Sequence, residues 1–259
     1  MNLIDTHCHL ADRRLGRNID QVIADAAAAG VRLMISAAAN LPDAKIAADI
    51  ASKHDEVYCT AGVHPHHAAE QGDSYLDDIE KLAACERNVA IGEIGLDYHY
   101  DYSPRPRQQE VFAQQLKLAE RLDKVIVIHT REAFDDTMAI IRESGVDGAW
   151  LVFHSFTGGA GEVREILDIG AMVSFSGIAT FKTADDIRAG ALIVPEDRIL
   201  VETDSPYLSP VPVRNARVNQ PAHVAHVARC LADLRGVDVE QFAEQTTANA
   251  KRFFGIQPA

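Results

Sequence analysis

Cysteine is scarce in this chain: Cys8, Cys59, Cys85 and Cys230 are the only four, far apart and in no CxxC spacing. That pattern argues against a disulfide framework or a thiolate zinc site and leaves buried free thiols. Positive charge is short as well. Twenty-five Lys and Arg face 38 Asp and Glu, a formal net charge of −13, so the chain lacks the extensive basic surface that holds DNA or RNA through many phosphates. An anionic substrate would need positive charge supplied locally. Long apolar runs are missing too, since none approaches the ~18 residues of a membrane span. Strand-like sequence begins at Leu3, leaving no space for a signal peptide, so the expectation is a cytoplasmic protein without a membrane segment. No repeat, low-complexity tract or linker divides the chain, and a single domain over 1–259 is expected. With 47% hydrophobic and 24% charged residues, the composition is that of a globular protein with one large core.

What is present is alternation. Short apolar or β-branched runs fall at 3–8, 31–37, 57–63, 89–94, 125–129, 150–154, 171–175 and 199–203. Segments of helical spacing fall at 19–29, 43–53, 75–85, 107–122, 132–143, 160–168 and 184–190, and two more at 222–234 and 239–253 follow the last strand. Strands alternating with helices require crossovers and hence parallel pairing, and eight such units in this length predict a (β/α)8 TIM barrel. A doubly wound open sheet is the alternative. It is disfavoured because no GxGxxG follows any strand and because of where the polar residues lie.

The stretch Ile4-Asp5-Thr6-His7-Cys8-His9-Leu10 places two imidazoles two residues apart. Regular alternation puts Asp5, His7 and His9 on one face and Ile4, Thr6, Cys8 and Leu10 on the other. His7 and His9 end the first strand, Glu93 the fourth, His129 the fifth and His154 the sixth, and Asp204 follows the eighth. In a barrel, all of these carboxyl ends surround one mouth. Four imidazoles and two carboxylates gathered there without partners would be costly to desolvate, and bound metal is the simplest compensation. Asp5 and Glu202 each lie two residues before a ligand, so both are expected on the inward face, hydrogen-bonding ligand imidazoles from behind.

Six stretches together carry a family resemblance: IDTHCHL, GVHPH (62–66), IGEIGLDY (91–98), VIVIHTREA (125–133), FHSFTGG (153–159) and ETDSPYL (202–208). Over essentially its whole length the chain resembles the TatD family of metal-dependent deoxyribonucleases, within the amidohydrolase-like barrels. The resemblance implies two divalent ions, of Mg, Mn or Zn, bridged by Glu93. One would lie at His7, His9, Glu93 and Asp204, the other at Glu93, His129 and His154. It implies Asp204 as general base, His64 as a contact to substrate phosphate, and transiently bound DNA as the substrate, trimmed as a single strand from its 3′ end, with no obligate protein partner. Another binuclear-metal hydrolase, such as an aminoacyl-tRNA deacylase or a small-molecule lactonase, is the rival enzyme, since a fold does not fix a function. A metal-binding scaffold is the non-enzymatic one.

Around this set, Arg131 is expected to begin the helix after the fifth strand and to offer a forked donor pair to phosphate. Gly158-Gly159 could present backbone N–H groups to an anion, and Tyr98 and Tyr207 could stack on a nucleobase. His66 and His67 are expected in solvent. One region departs from the family pattern: where members carry Arg-Gly-Lys, this chain has Arg214-Asn215-Ala216, with Arg217 as the candidate replacement cation, while Asn219 and Pro221 are retained.

Overall fold

The computed structural model describes residues 1–257; the last two positions of the expected domain span lie outside the described residues. Eight strands form one sheet in sequence order: β1 Leu3–Cys8, β2 Val31–Ser36, β3 Val57–Ala61, β4 Asn88–Asp97, β5 Val125–Arg131, β6 Leu151–Phe153, β7 Met172–Phe175 and β8 Ile199–Val201. Every adjacent pair is parallel. The seam between β8 and β1 closes through a parallel bridge of Cys8 with Ser205, through Asp204 N–H to the His7 carbonyl (2.9 Å) and through His9 N–H to the Ser205 carbonyl (2.7 Å). The expected TIM barrel is the fold found.

Two apolar layers hold it. Inside the barrel, Ile4, Ile35, Ala90, Val127, Val152, Met172 and Leu200 form one layer of single residues from seven strands, plugged from below by Ala250 and Phe254 in the final turns of the last helix and by Ile256 just after it. The outer layer packs strand residues such as Leu3, Cys8, Met34, Ile91, Ile94 and Phe153 against the surrounding helices. With the lower barrel filled by aliphatic side chains, only the carboxyl-end mouth is left for polar groups.

Several boundaries differ from the periodic reading. β4 runs on to Asp97 and β5 to Arg131, so Arg131 ends a strand and the next helix starts only at Phe134. β6 and β8 stop early, at Phe153 and Val201, which places His154, Glu202 and Asp204 in the loops that follow. Strict alternation also fails twice. The β1–β2 register shifts between Asp5 and Cys8, and the β4–β5 register shifts between Ile91 and Ile94. In β4 the consequence is direct: Ala90 faces the interior, Ile91 and Ile94 both face the helices, and Glu93 turns inward where an unbroken strand would have placed Gly92 or Ile94. Gly95, with φ of +143°, lets β4 lie against β5, since a Cβ there would meet the His129 carbonyl oxygen at 1.9 Å.

Candidate metal centre

Glu93 stands at the centre of the mouth, 3% exposed, and its two oxygens face different partners. Oε2 lies 3.4 Å from His7 Nε2 and 3.8 Å from His9 Nε2; His9 Nε2 is in turn 3.4 Å from Asp204 Oδ1 and 3.3 Å from His7 Nε2. Oε1 lies 2.9 Å from His129 Nδ1, 2.7 Å from His154 Nε2 and 3.4 Å from His64 Nε2, with the His129 and His154 nitrogens 3.3 Å apart. The expected ligands His7, His9, Glu93, His129, His154 and Asp204 are therefore brought together. His64 joins the Oε1 group, while its Nδ1 accepts the His66 N–H.

The donor set fits metal. At ligand bonds of about 2.0–2.2 Å, tetrahedral neighbours lie roughly 3.4 Å apart, the spacing of most of these contacts. All the donors are imidazole nitrogens or carboxylate oxygens, buried or nearly so, and close imidazole pairs cannot all be protonated. Burial would push the Glu93 carboxyl up, but the imidazoles of His154 and His64 and hydrogen bonds from His129 and His154 outweigh it and hold it well below the usual range. Burial likewise opposes charge on His154, yet Glu93 and Glu202 raise its pKa well above that of a free imidazole. His64 is pushed down to about 3, by burial first, and stays neutral. Asp204 is held low, against its own burial, by its hydrogen bond with His9 and that ring's charge. It sits in the left-handed region at φ +54°, a conformation aspartate tolerates better than most residues.

Behind the donors stand two carboxylates. Glu202 Oε1 is 3.2 Å from His154 Nδ1, while Oε2 accepts from Ser174 Oγ at 2.5 Å, so Glu202 orients an imidazole as expected. Asp5 does not. Its oxygens accept from Thr203 N–H (2.8 Å) and Thr203 Oγ1 (2.6 Å) and only distantly from the His7 backbone N–H (3.4 Å). The β1 irregularity separates it from the inward face, and it ties β1 to the loop after β8; burial pushes its carboxyl up to about 8. The second imidazole-orienting carboxylate is Asp97, which the sequence reading missed. Asp97 Oδ2 lies 3.0 Å from His129 Nε2 and 3.0 Å from His66 Nε2, and Oδ1 accepts the N–H groups of Tyr100 (2.9 Å) and His99 (3.1 Å). His66 is thus built into the centre rather than solvated, whereas His67 pairs with Glu70 at 3.0 Å toward the surface. The available signal was a carboxylate four residues beyond Glu93 at the end of an apolar strand.

Other expectations need correcting. The N–H of Gly159 is taken by the Glu162 carboxylate at 3.0 Å, so this helix start caps itself and offers no anion site. Tyr98 is engaged, its hydroxyl bonded to Asp136 (2.7 Å) and Gln109 (2.7 Å) and its ring covered by Arg105. Tyr207 is half exposed, edge-on to His9 and covered by Arg14, itself tied to Asp12. Arg131 lies at the rim over the ring of Tyr100, 4.9 Å from its centroid. Arg214 covers Phe181, Arg217 is exposed, and Asn219 pins the loop through the carbonyls of Thr203 and Tyr207.

A family model described as TatD related DNase matches residues 4–255. The chain is 44% identical to an uncharacterized metal-dependent hydrolase, YcfH, of Escherichia coli K12, with 99% of this chain and 97% of the relative covered. It is 35% identical to the 3′-5′ ssDNA/RNA exonuclease TatD of Klebsiella pneumoniae, with 98% of each covered. A solved structure of YjjV, a TatD homologue from Escherichia coli K12, superposes with a TM-score of 0.92 at 26% identity, covering 98% of both chains.

Proposed function

Because the chain belongs to the TatD-related DNase family and is a metal-dependent hydrolase, we propose that it hydrolyses DNA phosphodiesters, releasing nucleotides from the 3′ end of single strands. The observation that carries this reading is Glu93, whose two oxygens face two separate donor groups. His7, His9, Glu93 Oε2 and Asp204 would hold one divalent ion, and Glu93 Oε1, His129 and His154 a second. Such a pair polarises a phosphoryl oxygen, lowers the pKa of water and stabilises a leaving oxygen. It also supplies the positive charge that a chain of net −13 lacks.

The protein's own groups do the rest. Asp204, ionised and at the mouth, accepts the proton of the attacking water at a carboxylate oxygen. Glu202 and Asp97 hold hydrogen on the far nitrogens, His154 Nδ1 and His129 Nε2, so that His154 Nε2 and His129 Nδ1 would be free to give their lone pairs to an ion bound beside Glu93. In this reading the exposed rim cation Arg131 meets a phosphate oxygen, while His64, buried with Nε2 3.4 Å from Glu93 Oε1, would reach phosphate only from among the metal donors. The name of the Klebsiella relative supports the substrate class. Among the described residues no helix is long and apolar enough to cross a membrane. Substrate contacts confined to the mouth make DNA a transient partner.

The test is turnover of end-labelled single-stranded DNA, duplex DNA, RNA and a mischarged aminoacyl-tRNA, with Mg, Mn and Zn added separately. Stepwise mononucleotide release from single-stranded DNA, reduced by about 10²-fold or more in Asp204→Asn, is expected. Cleavage of the aminoacyl ester alone would move the assignment to a deacylase.

A further inference from the structure

Three and five residues beyond Asp97 the chain exposes two aromatic rings. Tyr100 and Tyr102 are 46% and 67% exposed, and their rings stack at 5.3 Å between centroids with planes 30° apart. The segment carrying them is pinned at both ends. Asp97 Oδ1 holds the Tyr100 N–H, and buried Ser103 donates to the His66 carbonyl and accepts the Ala69 N–H, each at 3.0 Å. The His66 ring stands edge-on beneath both tyrosines, at 5.3 and 4.8 Å, and its centroid is 6.4 Å from that of His129. One imidazole therefore separates the aromatic pair from the metal donors. Arg131 shares its strand face with His129, two residues earlier, lies over Tyr100 and makes no ion pair among the described residues. The other tyrosines at the mouth differ: Tyr98 is hydrogen-bonded into the wall, and the arginine over Tyr207 is neutralised by Asp12.

Exposed, stacked rings on a fixed segment beside an uncompensated cation suit a flat aromatic ligand carrying negative charge. We propose that Tyr100 and Tyr102, with Arg131, form a stacking subsite that seats one unstacked nucleobase of single-stranded DNA next to the bond being cut, its phosphate toward Arg131. This rests on the proposed nuclease reading and adds how a strand is held by a protein of net −13: stacking needs no basic track and works only on bases freed from a duplex.

The experiment compares wild type, Tyr102→Ala, Tyr102→Phe and the Tyr100→Ala/Tyr102→Ala double variant on a single-stranded oligonucleotide and on copies in which one residue near the 3′ end is abasic. Both rings are exposed, so the variants should melt as wild type does. Loss of the stacking ring should raise KM by about 5- to 150-fold, the scale of base–aromatic stacking, with kcat little changed and with Tyr102→Phe restoring the wild-type value. On the substrate abasic at the seated position, wild type and Tyr102→Ala should converge. Fluorescence anisotropy of the same oligonucleotides, with all variants carried in an Asp204→Asn background, gives the binding loss without turnover. Unchanged KM and anisotropy in the double variant, or an equal loss on every abasic substrate, would overturn the subsite. If wild type cuts no DNA, the nuclease reading fails, and anisotropy alone then decides: tyrosine-dependent binding of single strands sustains the subsite, and its absence ends it.

Discussion

Replacing Asp97 by asparagine should cost the Oε1 side of the centre its metal while sparing the other side. The carboxylate accepts from His129 Nε2 and His66 Nε2, each at 3.0 Å, and its second oxygen accepts two backbone N–H groups. An asparagine would keep its carbonyl on the backbone donors and turn its NH2 toward the two imidazoles. Facing a donor, His129 must present a lone pair at Nε2 and carry its proton on Nδ1, the atom 2.9 Å from Glu93 Oε1. A protonated nitrogen cannot ligate. The lost charge-assisted hydrogen bond is worth about 1.5–3 kcal/mol, or roughly 10- to 150-fold, in line with the 10- to 100-fold in metal affinity that such orienting carboxylates supply. Chelator-competition titration should then resolve two steps, one near wild type and one weakened by that factor. Two wild-type binding steps would refute the tautomer reasoning.

Glu93→Gln should impair both binding steps together, because each oxygen of the carboxylate faces one donor group, and chelation of the wild type should abolish hydrolysis and lower Tm; occupancy and turnover near wild type would remove Glu93 from the bridging position. Gly95→Ala should destabilise the fold by about 3 kcal/mol in urea unfolding, since its Cβ would sit 1.9 Å from the His129 carbonyl oxygen at a φ disfavoured for alanine. A wild-type midpoint would show that β4 can shift without penalty. Burial pushes the Cys59 thiol up to about 12 and raises Cys8 well above its usual value, so both stay protonated at pH 8. Iodoacetamide should leave them unmodified in the native protein and label them in urea, as peptide mapping would show.

How far the sequence revealed this centre depended on the regularity of each strand. His129 lies two residues beyond the interior Val127, and His154 two beyond Val152, so alternation carried to the strand end points both at the mouth. Counting by twos fails in β1 and β4. Asp5 was placed with His7 by parity, but the register shift after it turns it to Thr203. Glu93 was placed correctly by its motif, although what turns it inward is the irregularity between Ile91 and Ile94, which no periodicity displays. Asp97 escaped notice, and His66 was expected in solvent, for another reason. Their pairing joins the end of β4 to the loop after β3, and a tertiary hydrogen bond of that kind leaves no spacing in the sequence. Tyr98 and Tyr207 were the stacking candidates, and Tyr100 and Tyr102 were not considered; the hydrogen bonds that fix Tyr98 in the wall remove it from the mouth.

The placement of Asp97 ties the two halves of the site together. A continuous run of polar contacts leads from Ser174 through Glu202, His154, Glu93, His129 and Asp97 to His66, and ends beneath Tyr100 and Tyr102. Within it, Glu202 touches only the ligand side: its partners are His154 and Ser174. Asp97 touches both, since one oxygen sets the His129 tautomer and the other holds the backbone N–H of Tyr100. A change at Glu202 should therefore weaken metal binding and leave the grip on DNA intact, while Asp97→Asn should loosen the aromatic segment as well, because a neutral amide accepts those backbone hydrogens less strongly than a carboxylate does. In the proposed reading, one shared buried carboxylate would thus keep the metal donors and the aromatic platform in a fixed relation.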